Sequence, residues 1–484
     1  MSQDNLVYIT TPIYYVNDRP HIGHAYTTIA ADVLARYYRS QDKDVFFLTG
    51  TDEHGAKIAA AAAKAGQSPQ EFVDNLVPIF QNTWQKLGIN DDQFIRTTNP
   101  QHEQLVQRIV QKLVSNGFVE KREYQGLYCV GCERFLKPEE LQGGNCPDHG
   151  QPPVKHSEEN FFFLLSKFSQ QLRDKIESGE LEIEPVARRN EVLGKIDQGL
   201  EDVSISRAGV EWGIPFPGDD SQTIYVWVDA LLNYYTATHI FETARWEQHP
   251  TDIHLMAKDI LWFHAIVWPA MLLALDLPLP KKIFAHGFFT IDGKKMSKTV
   301  GNVLDPNALV DKFGADAVRY ALLREFPFGE DGDISEAKIA SRYEKDLANG
   351  LGNLLQRVLV MIKKYDCHFD RSNTPDCHLE PFDKLRVNSV ERSLAPQKDI
   401  ESLRFDNALR LIWDSLRKSN ENIDKEKPWE LAKTDKEKLT KILRAEHSRL
   451  VTIAHFLEPF MPETAKKMQE QLASLEPTPL FPRL

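Results

Sequence analysis

The feature that constrains this chain most is an apolar run, a helical period and a second apolar run, all within residues 6–49. Leu6-Val7-Tyr8-Ile9-Thr10 reads as a buried strand, and residues 11–20, with Pro12 and Pro20, read as a loop. From His21 to Ser40, Ala25, Ile29, Val33 and Tyr37 step by four, which is the spacing of one helix face. Val45-Phe46-Phe47-Leu48-Thr49 reads as the next buried strand. Strand, helix, strand predicts parallel pairing, because parallel neighbours need a long crossover.

The rest of the chain extends this α/β reading. An Ala-rich helix is expected at residues 56–65, with helices to about residue 115. The parallel-sheet pattern resumes at Ile224-Tyr225-Val226-Trp227-Val228, Ile253-His254-Leu255-Met256 and Ile283-Phe284-Ala285. Residues 116–218 differ, with three cysteines, a Pro/Gly-rich stretch at 143–153 and a strand-like Phe161-Phe162-Phe163-Leu164, and read as an inserted module. From residue 346 the period is almost wholly helical, interrupted by a loop at 367–381. The expected division is 1–115 and 219–290 for the two halves of the sheet domain, 116–218 for the insertion, 291–345 for a loop-bearing link, and 346–484 for an all-α end.

Composition narrows the setting. No run approaches the ~18 apolar residues that cross a bilayer. The start, Met1-Ser2-Gln3-Asp4-Asn5, has no signal-peptide character, so a cytoplasmic protein away from membranes is expected. The net charge of −12 argues at first against a nucleic-acid partner, but it is uneven. Residues 346–484 carry 23 Lys+Arg against 22 Asp+Glu, and residues 1–345 carry 35 against 48. The helical end is the less repulsive surface for a polyanion.

Three constellations carry chemistry. His21-Ile22-Gly23-His24 opens a helix just after a strand, where unpaired N–H groups attract phosphate and Gly23 lets a nucleotide come close. A lone pattern of this kind is more often two packed or solvated histidines. Lys294-Lys295-Met296-Ser297-Lys298 follows Ile291-Asp292-Gly293, a tight-turn signal, so its lysines sit on a loop beyond a hairpin. Alone, such a charge run is usually a solvated face. Cys129-x2-Cys132, then Cys146-x2-His149, pairs two short-spaced ligand sets that can close a tetrahedron on one structural Zn²⁺. Cys367 and Cys377 lie outside it and are not expected to pair.

Taken together and in this order, the first two motifs are the paired signatures of class I aminoacyl-tRNA synthetases. The surrounding residues resemble the methionyl-tRNA synthetases along nearly the whole chain. The resemblance rests on Thr11-Pro12-Ile13-Tyr14-Tyr15-Val16-Asn17, Gly50-Thr51-Asp52-Glu53-His54-Gly55, Tyr225-Val226-Trp227-Val228-Asp229-Ala230, Lys258-Asp259-Ile260, Phe263-His264 and His286-Gly287. Ala257 departs from the family's usual Gly, and Thr299 stands where Ser often closes the second signature. The resemblance implies a Rossmann-like catalytic domain with a zinc-bearing connective insertion and a helical anticodon-binding domain. It also implies ATP with Mg²⁺, L-methionine and tRNA(Met) as partners.

The resemblance further assigns residues. The methionine pocket is expected from Ile13, Tyr15, Trp227, Ala230, Leu231, Tyr234, Phe263 and His264, with Asp52 as the carboxylate for the α-amino group. Aromatic edges suit a thioether, although Trp227 and Tyr234 by themselves read more readily as core. His21, His24, Lys295, Ser297 and Lys298 are expected on the ATP phosphates, Asp259 on the ribose, and Arg207 in ordering the site. Asn353, Arg357 and Trp429 are expected on the anticodon. Asn349, Asn353 and Arg357 step by four and should share a helix face, while Trp429 follows Pro428 at a helix start. Sister synthetases for leucine, isoleucine or valine share both signatures but carry a larger editing insertion. A cysteinyl-tRNA synthetase, whose metal sits at the amino-acid site unlike Cys129 to His149, an inactive tRNA-binding paralogue and a free nucleotidylyltransferase are the other readings. Some family members continue into a dimerising domain; this sequence stops at Leu484, so a monomer is expected.

Overall fold

A computed structural model describes residues 5–131, 134–136, 138–147, 150–242, 246–296, 302–365 and 396–482. The first stretch runs β1 (Leu6–Tyr15), α1 (Ile22–Ser40), β2 (Asp44–Asp52), α2 (Ala56–Ala65), α3 (Pro69–Lys86), β3 (Gln93–Arg96) and α4 (Pro100–Ser115). Next come β4 (Val119–Cys129), β5 (Arg134–Leu136), β6 (Val154–Phe163), α5 (Ser169–Glu177), β7 (Glu182–Glu184), α6 (Val186–Asp197), β8 (Val203–Ser204), β9 (Ser206–Ala208), β10 (Pro215–Phe216) and β11 (Asp219–Ile224). Then follow α7 (Val226–Ile240), β12 (Ile253–Ala257), α8 (Trp268–Ala274), β13 (Lys282–His286), β14 (Phe289–Ile291), β15 (Lys294–Lys295), α9 (Pro306–Phe313), α10 (Ala315–Arg324), β16 (Gly332–Ile334) and α11 (Glu336–Arg342). The helical end holds α12 (Asn353–Lys364), α13 (Gln397–Glu401), α14 (Phe405–Glu426), α15 (Pro428–Thr434), α16 (Lys436–Leu457) and α17 (Pro462–Ser474).

The central sheet is parallel throughout, in the order β3-β2-β1-β12-β13-β7. Alternation along a strand sends successive side chains to opposite faces. Ile9 and Phe47 enter one buried cluster, with α1, α10 and the helical end. Their neighbours Tyr8 and Phe46 enter another, with α7 and α8. Both faces are covered, which is why β1 and β2 read as unbroken apolar runs. The chain leaves β1 for β2 on one side and returns to β12 on the other. The carboxyl ends of these three strands therefore frame the crevice where open α/β sheets bind ligands.

Four expectations need correction. The loop placed at 11–20 is shorter: β1 continues through Pro12 to Tyr15, with a break in register against β2 between Thr10 and Ile13. Such an irregularity is where a sheet accepts proline. The helices expected to residue 115 are interrupted by β3, whose Ile95 alone is fully buried, too weak a pattern to read. Tyr225-Val226-Trp227-Val228 is no parallel strand. Ile224 ends the antiparallel β11, and α7 begins at Val226. A short apolar run does not separate a buried strand from a buried helix. Finally, β7 lies inside 116–218 yet pairs in parallel with β13, so that span returns one strand to the main sheet.

The rest of 116–218 builds an antiparallel sheet β5-β4-β6-β8, and β9 and β10 flank β11. A hairpin of β14 and β15, with β16 parallel to β14, follows the main sheet. Its turn residues Asp292 and Gly293 both have positive φ, 50° and 73°, as an Asp-Gly hairpin turn requires. No helix among the described residues is long and apolar enough to cross a membrane.

Candidate active site

His21 is the N-cap of α1, and its ring nitrogen Nδ1 accepts the Gly23 N–H at 3.1 Å. The His21 N–H in turn reaches Nδ1 of His24 at 3.4 Å, completing a reciprocal cap. Two rings that accept through Nδ1 carry their protons on Nε2, so both imidazoles offer a donor suited to phosphate oxygen. The rings stack at 3.7 Å. Gly23 has a second reason to be glycine: a Cβ there would lie 3.0 Å from the His21 ring and 3.5 Å from the Met296 methyl.

Met296 belongs to the second signature, so it and Gly23, 273 positions apart, bring the two motifs together at the start of α1. The backbone repeats the tie: the Ile22 N–H donates to the Leu304 carbonyl at 3.1 Å. Lys294 and Lys295 form the hairpin's second strand β15 rather than a loop beyond it, because the Asp292-Gly293 turn pairs them directly with Ile291 and Thr290. Ser297, Lys298 and Thr299 lie outside the described residues.

The expected methionine residues come from four places around the crevice. Ile13 and Tyr15 stand at the end of β1, with Tyr15 in register with Asp52 at the end of β2. Helix α7 carries Trp227, Ala230, Leu231 and Tyr234. A π-helical stretch, Phe263–Val267, carries Phe263 and His264. Trp227 and Phe263 are stacked face to face, with centroids 3.9 Å apart and planes 1° apart. The Tyr234 hydroxyl meets His264 Nε2 at 2.8 Å, and His264 Nδ1 meets the Ile260 carbonyl at 3.0 Å. Burial pushes His264 down to about 4, with the Ile260 carbonyl opposing weakly, so this wall is neutral at pH 7. A neutral, aromatic wall suits an uncharged thioether.

Asp259 sits on a 3₁₀ turn, Lys258–Ile260, at the end of β12. Its neighbour Lys258 is pinned by Asp331 at 2.6 Å. Arg207 is on β9, in register with Thr223 of β11. Its guanidinium lies 3.9 Å from the Tyr225 ring centroid and donates to Ser204 Oγ and the Ser206 carbonyl. Arg207 also shares a small cavity with His54, Trp212 and Tyr225.

Two acidic and two imidazole groups beside the pocket had no role in the sequence reading, although Glu53, His54 and Asp229 lie in its quoted motifs. Asp229, buried in α7, accepts from His54 at 2.8 Å and from His102 of α4 at 2.7 Å. Glu53, equally buried, accepts from Arg96 Nε and Nη2, each at 2.8 Å, and from the Thr51 and Thr98 hydroxyls. Asp229 alone carried a local signal, a charge inside an otherwise apolar stretch.

Of the four expected metal ligands, Cys129 and Cys146 are buried against Leu136 and Leu141, while Cys132 and His149 lie outside the described residues. Among the described residues that satellite core holds little else.

In the helical end, Asn353 and Arg357 lie one turn apart on α12. Asn349 precedes them by one turn. It belongs to a π-helical stretch, Tyr343–Gly352, that runs into α12, and like Asn353 it is exposed. Trp429, at the start of α15, is 41% exposed, and the Arg357 guanidinium lies 5.8 Å from its ring centroid. Arg357 is also paired with Asp424 at 2.5 Å.

Comparison with known proteins gives the same reading. The profile for tRNA synthetases class I (M) matches residues 7–152 and 137–359, and that for the anticodon binding domain of methionyl tRNA ligase matches residues 385–480. The chain is 46% identical to the methionine--tRNA ligase of Caldanaerobacter subterraneus subsp. tengcongensis, covering 97% of this chain and 74% of that protein. It is 45% identical to that of Thermotoga maritima, over 95% of this chain and 74% of that one. The solved Mycobacterium tuberculosis methionyl-tRNA synthetase in complex with methionyl-adenylate superposes with a TM-score of 0.89 at 36% identity, covering 99% of this chain and 100% of that one. Its apo form gives 0.83 at 32% identity, over 99% and 98%. With both profiles matched in order, near-full-length relatives at 45–46% identity and Met296 packed by Gly23, this chain belongs to the methionyl-tRNA synthetases.

Proposed function

We propose a division of labour among the residues of this chain for the methionine--tRNA ligase reaction of its family. In the first step a methionine carboxylate oxygen bonds the ATP α-phosphorus, the bridge to the β-phosphate breaks, and pyrophosphate leaves. In the second, a terminal ribose hydroxyl of tRNA attacks the activated carbonyl carbon and AMP leaves. Such transfers depend on positioning and charge neutralisation more than on acid–base chemistry. His21 and His24 donate Nε2–H bonds to the triphosphate, while Lys295, Ser297 and Lys298 meet the charge that develops on pyrophosphate. Asp259 bonds the ribose and Arg207 orders the mouth of the site. Asp52 takes the methionine ammonium. Ile13, Tyr15, Trp227, Ala230, Leu231, Tyr234, Phe263 and His264 enclose the side chain.

The observation that supports this reading is the Met296 methyl packed by Gly23, which brings the second signature's first residues to the start of α1. Mg²⁺ accompanies the ATP phosphates. Cys129, Cys132, Cys146 and His149 would hold one Zn²⁺, which adds stability to the segment around β4 and β5 rather than chemistry. Asn353, Arg357 and Trp429 read the anticodon, since unstacked bases are bonded by amide and guanidinium groups and stack on aromatics. The working division is 1–115 and 219–290 for the catalytic domain, 116–218 for the connective insertion, 291–345 for the signature loop and stem contact, and 346–484 for anticodon binding. We place the protein in the cytoplasm as a monomer, for which light scattering should report close to 55.4 kDa.

Exchange of labelled pyrophosphate into ATP, run with a panel of amino acids, tests the activity. Methionine should drive it, and leucine and isoleucine should give at most a trace. Faster exchange with leucine would overturn the substrate assignment.

A further inference from the structure

A carboxylate hidden from solvent joins three elements beside the crevice. Asp229 stands in the first turn of α7 and is 1% exposed. One of its oxygens accepts from His54 Nδ1 at 2.8 Å, the other from His102 Nε2 at 2.7 Å. His102, on α4, returns to α7 through Thr236 Oγ1 at 2.7 Å. His54 follows Asp52 by two residues, and its ring packs 5.3 Å from that of Trp212. Trp212 in turn accepts the Gly55 N–H at 2.9 Å and donates its ring N–H to the Glu53 carbonyl at 2.5 Å. The residues just after β2 are thus held on both sides.

The charges match this geometry. Burial alone would push the His54 imidazole down, but Asp229 first, then Glu103 and Asp52, outweigh it and hold it up at about 10. Burial alone would raise Asp229, and His54 and His102 outweigh that in turn, keeping it below its ordinary value. The charged and titratable groups facing His54 are Asp229 from α7, Glu103 and His102 from α4, Asp52 from β2, and Arg207 across the shared cavity.

We propose that Asp229 is a positioning residue that fixes the register between the two halves of the methionine site. One half is the end of β2 with Asp52, for the ammonium. The other is α7 with Trp227, Ala230, Leu231 and Tyr234, for the side chain. The inference rests on the assignment of those residues made above. Apolar packing alone tolerates small slides of a helix, because it is not directional. A buried carboxylate with each oxygen committed to a different element has one narrow geometric minimum. A ligand that spans both halves gains from that fixed spacing, and a ligand that touches one half does not.

The test uses methionine-dependent pyrophosphate exchange on the full chain. Asp229→Asn keeps one acceptor but sets an amide donor against a histidine donor. It should raise the methionine KM by about tenfold to a hundredfold, the scale of a small misplacement away from the chemistry, with kcat within about threefold. The deaminated analogue of methionine, which keeps thioether and carboxylate, is the one-half ligand. Its inhibition constant should change by less than about threefold. His54→Asn can place an amide N–H where Nδ1 was and should keep the methionine KM near the parent value, whereas His54→Leu should reproduce Asp229→Asn. The His54 pair carries the test if Asp229→Asn does not fold. An unchanged methionine KM in Asp229→Asn and His54→Leu overturns the inference, as does equal weakening of methionine and its deaminated analogue. Asp52→Asn separates the two levels. If it leaves the methionine KM unchanged, the assignment of Asp52 falls and this inference with it. If it raises KM while Asp229→Asn does not, the inference alone falls.

Discussion

Arg319→Met should be among the most destabilising single changes in this chain. Arg319 lies on α10 with no solvent exposure. Its Nη2 pairs with Asp32 of α1 at 2.6 Å, and Asp32 is equally buried. The same guanidinium donates to the Phe460 carbonyl at 2.8 Å, the Pro459 carbonyl at 2.9 Å and the Leu87 carbonyl at 3.4 Å. It therefore ties the signature helix to the turn between α16 and α17. Methionine fills similar volume but donates nothing, so three buried carbonyls lose a donor at about 1 kcal/mol each. Asp32 is not left bare, since Arg36 Nε at 2.7 Å and the Asn90 N–H at 2.9 Å remain. The sum is about 3–5 kcal/mol, the range for breaking a buried pair, against a total stability of about 5–15 kcal/mol. Urea denaturation followed by tryptophan fluorescence reads the loss. Arg319→Lys keeps the charge without the fork and should lose roughly half as much. The double variant Asp32→Asn/Arg319→Met should cost less than the sum of the singles by more than about 1 kcal/mol. A loss below about 1 kcal/mol for Arg319→Met, or strict additivity, would refute this reasoning.

Other expectations follow from single features. Gly50→Ala should unfold or misplace the end of β2, because its Cβ would stand 2.1 Å from the Ile95 carbonyl oxygen; a melting temperature within a degree or so of the parent would contradict the packing. His54 titrates higher in the folded protein, at about 10, than its ordinary 6.5, so its contribution to stability is complete below pH about 6.5. That contribution is lost as pH rises toward 10, and denaturation from pH 6 to 10 should show a downward slope that Asp229→Asn flattens. Metal analysis should find about one zinc per chain, and Cys146→Ala should lose it; two zincs, or none in protein never exposed to chelator, would rule out the four-ligand site. Lys298→Ala should slow adenylation while methionine affinity stays nearly constant, because the lysine acts on the triphosphate as its bond breaks; undiminished exchange would remove that loop from the mechanism.

Much of this protein is written locally. The αβ core from Leu6 to Asp52 is legible because apolar runs and a four-residue step are properties of short segments. The Asp292-Gly293 turn is legible because few residues adopt positive φ twice in succession. The order of the two signatures and the spacing of Cys129, Cys132, Cys146 and His149 are likewise sequence properties. Tertiary structure alone decided the rest. Tyr225-Val226-Trp227-Val228 suits a strand or a helix equally, and α7 forms because its apolar residues are covered on nearly every side. β7 is three residues long, and only its partner β13 makes it part of the main sheet. The stacking of Trp227 on Phe263, the packing of Met296 against Gly23 and the grip of Asp229 on His54 and His102 join residues far apart in the chain. No local period encodes such contacts: they exist because the sheet's switch point gathers the ends of β1, β2 and β12 into one crevice, and burial there makes each charge find its partner.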